Sequence, residues 1–128
     1  MPIKKVMKPW GWELWFAYTE RYVGKIIFIR KGHRLSKQYH RRKHETVFAH
    51  EGRWVLEING RKRRMRPGMR AEIAPRVVHR FCAPFEDVRL LEVSTPQVED
   101  VVRLEDDYGR GGIGSPVGKR RPSQGLRR

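Results

Sequence analysis

Gln38, His40 and Glu45 stand within eight residues of one another, inside the stretch GHRLSKQYHRRKHETVFAHEG from Gly32 to Gly52, and a further histidine, His79, follows later in the chain. On a strand, positions i and i+2 point to one face, so Gln38 and His40 can aim at a common point, and a carboxylate on the returning strand can join them. Imidazole and carboxylate suit a borderline divalent ion, zinc first, with manganese, iron, cobalt and nickel also compatible. Gln38 would add a neutral oxygen, leaving Glu45 the only anionic ligand. Such a site keeps net positive charge and acts as a Lewis acid on a sugar oxygen. The competing reading is a set of polar residues on a solvent-facing strand, with His79 a lone hydrogen-bonded histidine. Spacing alone leaves both open.

Short blocks of β-branched and aromatic residues must carry these groups. Trp12–Ala17, Tyr22–Arg30, Leu35–His40, Glu45–Glu51, Trp54–Asn59, Lys62–Arg66, Arg70–Ala74, Val77–Cys82 and Val88–Ser94 read as strands. Asn59-Gly60 marks a two-residue hairpin, and Pro67-Gly68 and Ala83-Pro84 mark further turns. This spacing belongs to an antiparallel sandwich or barrel, so the expected fold class is all-β. Residues 98–110 (VEDVVRLEDDYGR) read as either a closing strand or a short helical turn.

The 128 residues suit one domain over 1–110, followed by a basic Gly/Pro-rich tail, 111–128, expected to be flexible. The tail holds five basic residues and no acid, leaving +10 of the net +15 on the remainder. A basic surface attracts any polyanion. Twenty of the 29 basic residues are arginine, however, so the charge equally reflects a composition bias. No apolar run approaches a bilayer span and no apolar signal core follows the start, so a membrane role is not expected. A single cysteine, Cys82, excludes an internal disulfide and suits a reducing compartment, the cytoplasm by default.

The spacing Gly32, Gln38-Tyr39-His40, Glu45, Gly52 resembles the first cupin motif, with Gln38 in place of its first histidine. Gly68 with Ala74-Pro75-Arg76-Val77-Val78-His79 resembles the second, where Ala74 and Arg76 stand at positions usually Pro and Gly. The resemblance implies a double-stranded β-helix, or jelly-roll, barrel. Across residues 8–110 the chain is similar to the isomerase domain of type II mannose-6-phosphate isomerases. Lys8-Pro9-Trp10-Gly11, Tyr22-Val23-Gly24-Lys25, Leu35-Ser36-Lys37-Gln38-Tyr39-His40, His79-Arg80, Leu91-Glu92-Val93 and the block from Val101 to Arg110 carry the match. It implies one divalent metal held by Gln38, His40, Glu45 and His79, a phosphorylated sugar as substrate, and a homodimer. It also puts Lys25, Glu92 and Arg110 in catalytic roles and Ser36 and Arg103 on the substrate. Lys25 is a phosphate binder or proton shuttle, and Glu92 the base or its orienter. Lys37, His44, Thr46 and Arg76 depart from the family pattern. No Gly-rich nucleotide-binding segment precedes Trp10, so sugar-nucleotide synthesis is not expected.

The leading function is therefore metal-dependent aldose–ketose isomerisation, mannose 6-phosphate to fructose 6-phosphate. A non-catalytic cupin that binds a sugar or phosphorylated molecule is the alternative. An iron-dependent oxygenase fits Gln38 poorly. Nucleic-acid binding ranks last, since no recognition helix or aromatic single-strand motif is evident. Trp10, Trp12 and Trp15 are expected to pack the barrel end and a dimer contact rather than form a sugar-stacking platform.

Overall fold

The structure is a computed structural model that describes residues 3–113. None of these is helical; they form twelve strands in two six-stranded sheets. The strands are β1 (Lys4–Lys8), β2 (Gly11–Tyr18), β3 (Val23–Ile29), β4 (Lys37–Tyr39), β5 (Glu45–Glu51) and β6 (Trp54–Ile58), followed by β7 (Arg61–Met65), β8 (Arg70–Ile73), β9 (His79–Cys82), β10 (Val88–Ser94), β11 (Val102–Glu105) and β12 (Gly112–Ile113). One sheet has the order β1-β2-β3-β10-β5-β8 and the other β12-β11-β4-β9-β6-β7, with every ladder antiparallel. This is the expected all-β jelly roll, a cupin-type double-stranded β-helix. Among the described residues no helix is long and apolar enough to cross a membrane.

The inward face of the first sheet explains where a site can form. Side chains alternate across a strand, so one face of β3 reads Ile29, Ile27, Lys25, and one face of β10 reads Val88, Leu90, Glu92. The register aligns these rows: Ile29 lies opposite Val88, Ile27 opposite Leu90, and Lys25 opposite Glu92. On β5 the inward residues Ala49 and Val47 lead likewise to Glu45. One end of the sandwich is therefore apolar, closed by Trp54, Leu56, Met65 and Phe81, all buried. The other end holds buried charge.

Turns set the strand register. Asn59 and Gly60 have φ of 51° and 77°, the paired positive values of a tight hairpin between β6 and β7. Gly52 has φ 86°, and a Cβ there would lie 2.3 Å from the Asp87 carbonyl oxygen. Arg76 occupies the position where a glycine was expected, and it adopts the glycine-like conformation anyway, at φ 72°. Its N–H donates to the His40 carbonyl at 2.6 Å, which ties the turn before β9 to the end of β4. A non-glycine residue in the left-handed region costs about 1–2 kcal/mol, so this contact holds a strained turn in place.

Several boundaries differ from expectation. β1 is not signalled in the sequence, because KKVMK lacks a period-two pattern; it forms by pairing along β2. Val77 and Val78 belong to the Arg76 turn, and β9 starts at His79. The open choice at 98–110 resolves to a strand, β11, and Gly112–Ile113 of the expected tail pairs with it. Residues 114–128 lie outside the described residues.

Two substitutions test the turn chemistry by urea unfolding. Gly52→Ala is expected to cost about 2–4 kcal/mol, from positive φ plus overlap with backbone. Arg76→Gly is expected to leave stability within about 1 kcal/mol of the parent, since relief of strain offsets added unfolded-state entropy. A tolerated Gly52→Ala, or a strongly destabilising Arg76→Gly, would contradict this account of the turns.

Candidate metal and anion site

His40 follows β4, Glu45 opens β5 and His79 opens β9, and their ligand atoms all lie within 4.8 Å of one another. All three residues are buried. Gln38 and His79 are direct partners across the β4–β9 ladder, so three ligand-type residues come from the second sheet and Glu45 from the first. The group thus sits between the sheets.

Hydrogen bonding determines what this group can accept. His40 Nδ1 donates to the Asp100 carbonyl at 2.6 Å, and His79 Nδ1 donates to the Val77 carbonyl at 2.9 Å. A carbonyl only accepts, so each Nδ1 carries a proton, and in the neutral rings both Nε2 atoms present lone pairs. Both point at the same carboxylate oxygen, Glu45 Oε2, from 3.3 Å. Glu45 Oε2 and His79 Nε2 are buried without a hydrogen-bond partner among the described residues. Three electron-pair donors converging in a dry space require a cation, either a divalent ion or protons on the rings. The donor set of two imidazoles and one carboxylate fits a divalent metal. Gln38 is adjacent: its amide nitrogen is 3.5 Å from His40 Nε2, and its Oε1 accepts from the Ser36 hydroxyl. A serine hydroxyl can also accept, so either amide orientation is satisfied and the oxygen can face the ligand group. Ser36, expected on substrate, thus also positions Gln38.

One cavity, lined by His40 and Glu45 of this group, takes in the remaining expected residues. Lys25, Ser36, Gln38, His40, Glu45, Glu92, Arg103 and Arg110 all line it. Glu92 lies on the central strand β10 and faces inward, into the cavity. Burial and the nearby Glu45 charge raise its carboxyl pKa, against the pull of Lys43 and Lys25. Burial also opposes ionisation of Glu45, but Lys43, joined by the two histidines whenever their Nε2 atoms carry protons, holds it well below the usual carboxylate range.

Three cavity residues went unnoticed in the sequence. Lys43 is buried, with Nζ 2.8 Å from Glu92 Oε2 and 4.0 Å from Glu45 Oε1. Burial works against its charge, and the Glu92 and Glu45 carboxylates outweigh it, so its pKa is raised. Within HRRKH it resembled one more surface base. Glu13 is buried 3.3 Å from Lys25 Nζ and accepts from the Trp15 indole at 2.9 Å; Lys25 also lies over the Trp15 ring at 4.6 Å. Lys8 lines the cavity too, its pKa lowered mainly by burial, with Lys25, Arg110 and Arg103 adding repulsion against Glu13.

Arg103 and Arg110 arrive on the closing segment. Arg110 makes a bidentate pair with Asp106, at 3.0 and 2.9 Å. Arg103 Nε is buried with no hydrogen-bond partner among the described residues. Burial and the neighbouring Arg110 lower its pKa, yet a guanidinium stays charged in a protein. A cationic donor facing a cavity that also holds Lys8, Lys25 and Arg110 fits an oxyanion. The segment is fastened to the barrel by the bidentate Arg34–Asp107 pair, at 2.8 and 2.9 Å, and by a hydrogen bond between His33 Nδ1 and the Tyr108 hydroxyl, at 2.8 Å.

The tryptophans divide. Trp10 and Trp54 are core, Trp15 lines the cavity beneath Lys25, and Trp12 stacks on Phe28 on the outer side of the sheet. Burial and Glu57 push the Cys82 thiol up to about 12, which disfavours the thiolate.

Asp100 organises the site from outside it. Its carboxylate accepts the N–H groups of Arg41, Arg42 and Lys43 at 3.1, 2.7 and 3.0 Å, and its carbonyl orients His40. Burial would raise its pKa, but the three N–H donors dominate and lower it. A depressed carboxyl pKa contributes stability above its unfolded value, near 3.8, that is lost as pH falls through the folded value. Asp100→Ala is expected to cost about 1–3 kcal/mol at neutral pH and to flatten the acid limb of the stability curve below that pH. An unchanged acid limb in urea melts across pH would contradict this role.

Comparison with known proteins agrees with the architecture. The sequence profile described as the cupin domain matches residues 26–94. No curated protein sequence matches the chain. Among solved structures, an RmlC-like cupin from Shewanella frigidimarina superposes with TM-score 0.70 at 18% identity, covering 77% of this chain and 87% of that one. KdgF from Halomonas sp. gives 0.67 at 20% identity, with 76% and 87% covered. A structure described as a sugar phosphate isomerase from a cupin superfamily, from Silicibacter pomeroyi, gives 0.67 at 17% identity, with 82% and 79% covered. At such identities these likenesses show the fold alone.

Proposed function

The chain belongs to the cupin family, and from that premise we propose that it is a metal-dependent aldose–ketose isomerase of a phosphorylated sugar, with mannose 6-phosphate to fructose 6-phosphate as its reaction. The observation that carries the proposal is one cavity lined both by His40 and Glu45, whose ligand atoms lie within 4.8 Å of that of His79, and by the cationic set Lys8, Lys25, Arg103 and Arg110. A hexose phosphate offers hydroxyl and carbonyl oxygens at one end and a dianion at the other, and needs both. The solved cupin described as a sugar phosphate isomerase shares this fold, so the fold is compatible with the reaction class.

Gln38, His40, Glu45 and His79 would hold the ion, zinc by preference. Bound there, a divalent ion supplies Lewis acidity that lowers the cost of negative charge on the sugar's C1 and C2 oxygens. Arg103, with its unpartnered Nε, and Lys8 would grip the phosphate. Arg110 would assist with whichever donors its pairing with Asp106 leaves free. Glu92 would remove the C2 proton of the open-chain aldose and return it to C1. Its raised pKa makes it a better base than an ordinary carboxylate, and Lys43 steadies its Oε2. Lys25, held by Glu13 and Trp15, stands where it can pass a proton to a sugar oxygen or add to the phosphate grip. A reducing, cytoplasmic setting belongs to the same reading.

One feature favours a second reading. Glu92 is already ion-paired, so the same cavity could bind a phosphorylated sugar without turning it over. Kinetics separates the two. On mannose 6-phosphate, turnover is expected to disappear on chelation and return with zinc. Arg103→Ala is expected to raise KM by about tenfold or more, and Glu92→Gln to lower kcat by about 100-fold or more. The base must be deprotonated, so the acid limb of kcat/KM is expected above pH 4.5 in the parent and absent in Glu92→Gln. Binding without turnover would select the second reading, and neither binding nor turnover of any hexose phosphate would sink both.

A further inference from the structure

A second cavity, of about 400 Å³, lies away from the metal group, where the β5–β6 and β9–β10 turns meet the end of β7. Arg53, Trp54, Arg64, Met65, Arg66 and Phe85 line it. His79 pairs with Ile58 on β6, and Trp54 stands four positions before Ile58 on that strand, about 13 Å away at the rise of a strand. The floor is apolar and the rim cationic. Trp54 and Met65, opposite each other on β6 and β7, are fully buried. Phe85 is 38% exposed, and the Arg53 and Arg64 guanidinium groups lie over its ring, 5.6 and 5.9 Å from the centroid. Among the described residues Glu86, which pairs with Arg53 at 3.2 Å, is the only acid paired with these three arginines. The Trp54 Nε1–H is buried and has no acceptor among the described residues. Such a donor is costly until something supplies the acceptor.

We propose that this cavity is a second ligand site, built for a small organic anion with a flat aromatic body. Its volume falls within the roughly 300–1,000 Å³ of small-molecule sites. Flat rings stack on phenylalanine and guanidinium planes, and a methionine such as Met65 adapts to the shape laid on it. Three arginines against one glutamate leave an excess of positive charge, and guanidinium forks grip a carboxylate or phosphate head in bidentate fashion. A ligand that parts the cover of Phe85 and its arginines reaches the floor, where it supplies the acceptor that Trp54 Nε1 lacks. The site shares no residue with the sugar-phosphate cavity, so it binds its anion whether or not that cavity turns a sugar over.

Titration of the isotope-labelled full chain, followed at the Trp54 indole N–H by proton–nitrogen correlation spectroscopy, tests it. The probes are naphthoate, naphthyl phosphate and uncharged naphthylmethanol. The Trp54 resonance is expected to move saturably with one or both anions, the tighter of the two identifying the head group, and the alcohol is expected to bind about tenfold more weakly or worse. The double substitution Arg64→Ser with Arg66→Ser is expected to weaken binding of the anions about tenfold or more, and Phe85→Ala about threefold or more, with circular dichroism unchanged. Arg103→Ala, in the other cavity, is expected to leave the Trp54 response as it is in the parent. No saturable shift at millimolar probe, equal binding of the alcohol, or full binding by the double arginine variant or by Phe85→Ala overturns the proposal. So does loss of the response in Arg103→Ala, which would put the probe in the sugar-phosphate cavity.

Discussion

Glu45 sets a buried carboxylate against two imidazole nitrogens whose opposite ring positions already donate to carbonyls. Nothing else near the centre of the cavity demands so much of its surroundings. A bare anion at that depth is costly, and two lone pairs directed at it raise the cost. The protein answers with Lys43 on one side and, in the reading given above, a divalent ion on the other. The tautomers of both histidines follow from backbone carbonyls at Asp100 and Val77, so the donor set is oriented before any ligand arrives.

Other features trace back to this arrangement. Asp100 both orients His40 and caps the turn that delivers Lys43, linking the segment before β11 to the metal group. Arg76 accepts a left-handed backbone, and its N–H bonds the His40 carbonyl. Lys43 also neutralises Glu92, so two carboxylates share a small volume with one ammonium between them. The cationic set at Lys8, Lys25, Arg103 and Arg110 is balanced only in part by Glu13 and Asp106. That surplus of positive charge is what an anionic substrate would complete.

Much of this was legible in the chain. Gln38 and His40 were readable because strand geometry repeats every two residues, and Glu45 because it opens a clear apolar alternation. The all-β class followed from turn chemistry at Asn59-Gly60 and Pro67-Gly68. Lys43 was hidden beside Arg41, Arg42 and His44, which face solvent, and only the turn fastened by Asp100 sends it inward. Glu13 and Lys8 were hidden because their direction depends on the β1–β2–β3 register and not on local pattern. β1 itself lacks any alternation and exists through pairing. Ile26–Ile29 is apolar at every position, and in the structure Ile27 and Ile29 face the core while Ile26 and Phe28 lie on the sheet's other face. Without the neighbouring strands in register, such a run cannot be told from ordinary core.

The claim beneath all of this is that Gln38, His40, Glu45 and His79 hold one divalent ion. Elemental analysis of the protein purified after zinc supplementation tests it most directly, with Gln38→Ala and His40→Ala measured alongside. The account predicts about one ion per folded parent chain, and clearly less in both variants despite retained β-structure. A parent chain that binds no metal, or variants that bind as much as the parent, would contradict it.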